Sequence, residues 1–324
     1  TAGARLVSAE DALGSDLVLK VRRPNAQEVA HLKPGALVIA TMEPYGHREA
    51  IEAMAKAGVT AFAMELLPRI TRAQGMDVLS SQANLAGYRA VIDAANEYGR
   101  ALPMMMTPAG TVPAARLFVM GVGVAGLQAI ATGRRLGAIV TATDVRPATK
   151  EQVESLGAKF VAVEDEEFKQ AETAGGYAKE MSDGYKAKQA ALIASHIAKQ
   201  DIVITTALIP GRPAPRLVSA DMVKSMRAGS VIVDLAVERG GNCELSTPGE
   251  LASSENGVKI VGYSSVTRLA ATASSLYARN LYAFAETLID KTNKALAVNW
   301  DDELVKATCL TRGGAIVHPD FAAQ

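Results

Sequence analysis

Much is missing from this 324-residue chain, and each absence excludes something. There are two cysteines, Cys243 and Cys309, far apart and in no metal-type spacing, so neither a disulfide framework nor a cysteine metal site is available. Both are expected to be ordinary buried thiols. Net charge is absent too: 34 basic residues balance 34 acidic ones, so no overall field attracts nucleic acid or an anionic membrane surface. The most apolar stretch, Leu117 to Ala131, is too short and too glycine-rich to cross a bilayer, and no charged start followed by an apolar run marks a signal peptide. The chain therefore reads as a soluble polypeptide. It opens at Thr1, and Asp16 to Val21 already reads as a strand, so an N-terminal piece is expected to be missing.

What is present is a core: 49% of the residues are hydrophobic, enough at this length for two domains. Short apolar runs alternate with helical patterns at the start. Leu17 to Val21, Ala36 to Ala40 and Ala61 to Met64 read as strands, and Ala26 to Leu32 and His47 to Ala57 as helices, which makes a parallel sheet. A polar loop follows from Pro68 to Ser81. Then comes a helix from about Gln82 to Tyr98 with Leu85, Tyr88, Ile92 and Ala95 on one face. Further strands are expected at Arg116 to Met120, Ala138 to Thr143, Phe160 to Val163, Asp201 to Thr206, Ser230 to Asp234 and Val258 to Val261. Thr149 and Gln152, at capping-box spacing, should start a helix. Glu164 to Tyr185 reads as a mobile excursion, Asn280 to Ile289 as helix, and Trp300 to Val317 as strand-like and returning to the first domain. The expected fold class is α/β: two Rossmann-like, doubly wound parallel-sheet domains with a cleft between them, residues 1–82 with 286–324 forming the first and 83–285 the second.

Gly121-Val122-Gly123-Val124-Ala125-Gly126 fills the pattern G-x-G-x-x-G. Alone that pattern is weak, because plain strand-to-helix turns also carry it. Here it follows a strand, opens a helix, and is succeeded by a second strand ending at Asp144, eighteen residues past Gly126. Glycines permit a tight turn and close backbone approach, and the helix N-terminus receives a pyrophosphate. Asp144 can accept hydrogen bonds from a ribose 2′-hydroxyl and would repel a 2′-phosphate, favouring NAD(H) over NADP(H). Arg146 complicates this, since it could pair with such a phosphate, and a solvated loop carboxylate is the plain alternative. Thr205 to Gly211, including Thr206, Ala207 and Leu208, leaves another strand at the sheet edge where an adenine and its ribose could lie, or simply caps that strand. Asp234 ends the next strand, with a role near the nicotinamide or in a turn.

The loop Pro68 to Gln82, Asn84 to Asp93, Pro103 to Thr107, the glycine motif, Thr143 to Arg146, Glu172 to Met181, Thr205 to Gly211 and Gly313 to Pro319 together resemble the NAD(H)-binding component, alpha-subunit domain I, of the proton-translocating nicotinamide nucleotide transhydrogenases. Alanine dehydrogenases share that fold. The resemblance runs along nearly the whole chain. It implies that NAD(H) is held here on Gly121, Val122, Gly123, Val124, Gly126, Asp144, Val145, Arg146, Gly176, Thr206, Ala207 and Leu208. Arg69, Gln74, Asp77 and Ser80 would surround the nicotinamide and its junction with the partner, and Tyr177 would lie on a loop closing over the nucleotide. It further implies a partner component carrying NADP(H), a membrane-spanning component conducting protons, a homodimer, and a peripheral place on the cytoplasmic side of the bacterial inner membrane. The chain departs from the family in having Gly75 where serine is usual. Gly262 to Arg268 lacks the usual histidine, asparagine and proline.

Hydride exchange between two nicotinamides needs no general base. An alanine dehydrogenase places a histidine after the strand matching Ala36 to Ala40, where this chain has Thr41-Met42-Glu43; Lys20 matches a lysine found in both groups. His31, His47, His196 and His318 read as surface or satisfied structural residues, and Met104 to Met106 as packing between the domains. A transhydrogenase component, an alanine-dehydrogenase-like enzyme and a regulatory nucleotide-binding module are the three readings that remain.

Overall fold

The computed structural model describes residues 3–169, 181–209, 211–263 and 266–322. The chain clusters into two compact units, residues 1–82 with 271–324 and residues 83–270.

In the first unit, Leu17–Arg22, Leu37–Thr41 and Thr60–Ala63 pair in parallel, and Cys309–Arg312 adds antiparallel to Thr60–Ala63, with Ala315–Ile316 at the edge. Successive side chains point to opposite faces of a strand. Leu37 and Ile39 accordingly enter one core with Phe62 and Phe284, while Val38 and Ala40 enter another with Met54 and Leu310. A sheet buried on both faces reads as continuous apolar runs, which is why these strands are legible as such.

The second unit holds a seven-stranded sheet in the order Leu251–Ser253, Lys259–Val261, Val231–Asp234, Ile202–Thr205, Arg116–Met120, Ile139–Thr143, Lys159–Phe160. All pairs are parallel except the one made by Leu251–Ser253. The strand order reverses between Arg116–Met120 and Ile202–Thr205. In doubly wound sheets the crevice outside the carboxyl ends of those two strands is where ligands bind.

Several expectations need correction. The helix after the polar loop spans Val78–Tyr98, not Gln82 onward, and its buried face carries Gly87, Ala90, Val91, Ala94 and Tyr98, whereas Tyr88 is exposed. The reason is close packing: a Cβ at Gly87 would lie 2.0 Å from the Ala125 carbonyl oxygen, so the smallest residues face inward. Thr149 is the first helical residue of Thr149–Ser155 and not its cap; its hydroxyl donates to the Arg146 carbonyl at 2.7 Å. Trp300 to Val317 is not continuous strand, because Asp302 caps a helix, Glu303–Thr308, before the strand Cys309–Arg312. Met104 to Met106 are exposed (63%, 43% and 81%), at a two-stranded hairpin made by Met105–Thr107 and Gly110–Val112. Part of the expected excursion is helix, Asp183–Ile197, capped by the Ser182 hydroxyl. The helix expected at Asn280 to Ile289 runs Ala270–Ala285 instead, and residues 271–285, placed from sequence with the second domain, cluster with the first unit.

Candidate functional site

The strand Arg116–Met120 runs directly into the glycine loop. Gly121 sits at φ +101°, a conformation that L side chains rarely adopt, and a Cβ there would meet the Thr206 hydroxyl at 2.6 Å. Gly126 admits none either, since a Cβ would fall 1.9 Å from the Gly121 carbonyl oxygen. Gly123 differs. Its φ of −81° suits any residue, and a Cβ on it would have nothing within 4 Å. Gly123 is also the N-cap of the helix Val124–Arg135 and supplies no side chain to its first N–H groups. Open space, exposed helix dipole and unhindered backbone together fit a diphosphate.

The loop is braced from the next strand. The Val122 N–H donates to the Asp144 carboxylate at 2.7 Å. Arg146 clamps the same carboxylate through its backbone N–H and Nε, both at 2.9 Å, and through a terminal nitrogen at 3.1 Å. That guanidinium also reaches the Val122 carbonyl at 3.2 Å. Asp144 is therefore no solvated loop carboxylate: its oxygens accept from the glycine loop and from Arg146. Val145, between them, is half exposed.

Across the strand reversal, the Thr206 hydroxyl donates to the Gly121 carbonyl at 3.0 Å, joining the two loops. Ala207 is held by Asn242, and Leu208 and Ile209 are exposed. Asp234 is buried and accepts from the N–H groups of Ala236 and Cys243, each at 2.9 Å, and from the hydroxyls of Ser246 at 2.7 Å and Thr205 at 3.2 Å. Of its two sequence readings the turn role fits this geometry. Gly176 and Tyr177 lie outside the described residues.

Arg69, Gln74, Asp77 and Ser80 belong to the first unit. Asp77 caps the helix Val78–Tyr98, accepting from the Ser80 N–H at 2.9 Å and the Ser80 hydroxyl at 2.6 Å. Two anchors fix the loop before it: an ion pair between Arg72 and Asp302, and Asn280, which donates to the Gly75 carbonyl at 2.9 Å while accepting from the Ser81 hydroxyl at 2.8 Å. Gln74 and Arg69 are exposed on this anchored turn. A Cβ at Gly75 would meet nothing within 4 Å, so the serine usual in the resembled family would fit without rearrangement. Asn242 and Asn280 escaped the sequence reading, since each acts on a segment distant in sequence.

At the strand tips of the first unit, Lys20 is paired with Glu28. The Met42 and Glu43 N–H groups both donate to Glu65, whose carboxyl is raised above its usual range chiefly by burial. The Tyr277 hydroxyl accepts from the Thr41 N–H at 3.1 Å and lies 3.0 Å from the Lys20 and Val21 carbonyls. The side chain following the second strand is thus a buried methionine, and the carboxylate beside it is occupied with backbone. Three of the histidines make hydrogen bonds: His47 to the Glu43 carbonyl, His196 to the Thr141 hydroxyl and His318 to the Ala307 carbonyl, while exposed His31 lies 3.8 Å from Glu10. Among the described residues no three His, Cys, Asp or Glu side chains group as a metal site would require.

Residues 1–86 match the family described as alanine dehydrogenase/PNT, N-terminal domain, and residues 90–319 match its C-terminal domain. The chain is 57% identical to an NAD(P) transhydrogenase alpha-subunit polypeptide of Rhodospirillum rubrum, over 100% of this chain and 86% of that protein. It superposes on the crystal structure of transhydrogenase from Sinorhizobium meliloti with a TM-score of 0.88 and 65% identity, covering 97% of this chain and 85% of that one. An L-alanine dehydrogenase structure is similar at a TM-score of 0.79 and 25% identity, over 98% of this chain and 83% of the other.

Proposed function

Because the chain belongs to the alanine dehydrogenase/PNT family, and within it to the NAD(P) transhydrogenase alpha subunits, we propose that it holds NAD(H) for direct hydride exchange with NADP(H) carried by a partner component. The observation that carries this reading is the glycine loop at the strand reversal, where Gly123 leaves an open, dipole-bearing cradle while Gly121 and Gly126 are packed shut. In that cradle the backbone N–H groups of Gly123, Val124 and their neighbours bind the pyrophosphate. Asp144 accepts from the adenosine ribose and, with Val145 and Arg146, borders it, and Thr206 to Leu208 flank the adenine.

When bound, the nicotinamide would supply hydride chemistry at C4, a two-electron exchange with the C4 of its counterpart that requires no proton. What the chain must do is orient a ring and exclude water. Arg69 and Asp77 serve the first task and Gln74, uncharged, the junction with the partner; Ser80 steadies Asp77. The alanine-dehydrogenase reading fits less well: it needs a base where Met42 is buried and the Glu43 carboxylate is ion-paired with Arg23 at 3.3 Å, and a free lysine where Lys20 is bound to Glu28.

Exchange is coupled, in this proposal, to proton conduction by a membrane-spanning component, with this chain peripheral on the cytoplasmic face of a bacterial inner membrane. No helix among the described residues is long and apolar enough to cross a membrane. Mixing the chain with a separate NADP-binding component should give hydride exchange between NADH and an NADP⁺ analogue. Tight NADH binding without exchange would return the chain to a regulatory role, and oxidation of an amino acid by the chain alone would favour the dehydrogenase.

A further inference from the structure

Asn242 is fully buried, yet it stands at the end of no strand and in no recognised motif. Its side-chain oxygen accepts from the Ala207 N–H at 3.0 Å, and its amide nitrogen donates to the Ala207 carbonyl at 2.9 Å and to the Pro215 carbonyl at 2.8 Å. Both backbone groups of Ala207 are thus taken by one side chain, as a neighbouring strand would take them. The Asn242 carbonyl in turn accepts from the N–H groups of Leu217 and Val218 at 2.8 and 3.0 Å. Asp234 holds the adjoining turn through the Cys243 N–H, and Gly241, at φ +79°, leaves no room for a Cβ beside that carboxylate, at 2.9 Å.

The consequence falls on the residues just after Ala207. With the Ala207 N–H and C=O satisfied by Asn242, the segment is left presenting the exposed side chains of Leu208 and Ile209 (53% and 46%). An exposed apolar shelf costs solvation unless something flat and apolar covers it, and backbone that carries such a shelf must be fixed from elsewhere. Thr206 joins the same segment to the Gly121 carbonyl, so the shelf is registered against the diphosphate cradle.

We infer that Asn242 is the positioning residue of the adenosine half of the site: it holds Ala207 to Ile209 as a preformed apolar shelf for the adenine ring and touches no nucleotide itself. This rests on the nucleotide-binding reading above. The test is equilibrium titration of the full chain with NADH, ADP-ribose and reduced nicotinamide mononucleotide. Asn242→Asp is nearly isosteric and keeps the acceptor for the Ala207 N–H while losing both donated bonds. It should weaken NADH and ADP-ribose by the same factor, tenfold or more, and leave the mononucleotide unchanged. Leu208→Ser, on the surface, should show the same selectivity with an unaltered thermal midpoint.

Unchanged ADP-ribose affinity in a folded Asn242→Asp chain overturns the inference, as does equal weakening of all three ligands. Should Asn242→Asp not fold, amide exchange of the wild-type protein decides: the Ala207 amide must be strongly protected before any nucleotide is added, and ready exchange overturns the inference. Failure of the wild-type chain to bind NADH at all would instead overturn the reading beneath it.

Discussion

The three glycines of one motif divide into two that packing closes and one that it leaves open, and substitution separates them. Gly121 and Gly126 are closed by the Thr206 hydroxyl and the Gly121 carbonyl, so alanine at either must distort the loop. At Gly123 an alanine methyl meets no protein atom, and the conformation there is ordinary. Gly123→Ala should leave the thermal midpoint within a few degrees of wild type, because the poorer N-cap and the stiffer unfolded chain offset each other at about 1 kcal/mol or less. NADH affinity should fall tenfold or more, about 1.4 kcal/mol, and fluorescence titration measures it. Gln74, in the first unit, tests the proposed role in hydride exchange. It is exposed on a turn anchored by Arg72 and Asn280, so shortening it disturbs no packing. Gln74→Asn should leave NADH binding nearly unchanged and slow exchange with partner-bound NADP⁺ tenfold or more, on the order of 1.4 kcal/mol. Stopped-flow exchange beside equilibrium titration distinguishes the two effects, and an unchanged rate would make the turn a structural feature only.

At the scale of elements, the helix Asp183–Ile197 is joined to the strand Ile139–Thr143 by a titratable group. His196 shares a hydrogen bond of 2.9 Å with the Thr141 hydroxyl and packs edge-on to Phe118. Burial, with Lys199, Lys159 and Arg116 adding to it, lowers its pKa below the 6.5 of an unperturbed imidazole. The unfolded chain then takes up this proton at a higher pH than the native one. Stability from His196 is therefore complete above about pH 6.5 and lost progressively as the pH falls below that value. Denaturant midpoints measured from pH 7.5 to 5 should decline, and His196→Gln should flatten the decline. This helix also shows where sequence reading reached its limit. Its alanine-rich run carries little contrast between faces, and the capping Ser182 stands beside charged residues that resemble loop. The parallel strands of both sheets were legible because burial on two faces demands runs of apolar residues, whereas the antiparallel Leu251–Ser253 went unread and Cys309–Arg312 was merged into a longer run. The glycine loop was legible because its spacing is local. Thr149 misled because capping depends on backbone geometry as well as spacing, and Asn242, Asn280 and Asp234 act across 35, 205 and 9 positions on backbone that no local pattern connects to them.

For the molecule as a whole, the hairpin Met105–Thr107 with Gly110–Val112 is a feature, among the described residues, that a single chain leaves unexplained. Two strands alone are marginally stable in water, and this pair joins no other strand among the described residues while exposing three methionines. We propose a second copy of the chain as its cover, in keeping with the two-fold pairs that dominate soluble assemblies. Light scattering should report twice the chain mass, and Met106→Lys should shift the distribution toward monomer with NADH affinity unchanged. A monomeric wild-type chain would remove the hairpin from consideration as an interface.

The open face of Gly123 has an implication beyond affinity. A chain with alanine there should fold and present the outer surfaces of the wild-type chain, yet at limiting nucleotide stay largely empty, its affinity being tenfold or more lower. Such a chain is a decoy: supplied in excess, it would occupy the places of working subunits and silence whatever they drive. Loss of activity in proportion to the fraction of decoy would count how many working copies each assembly requires.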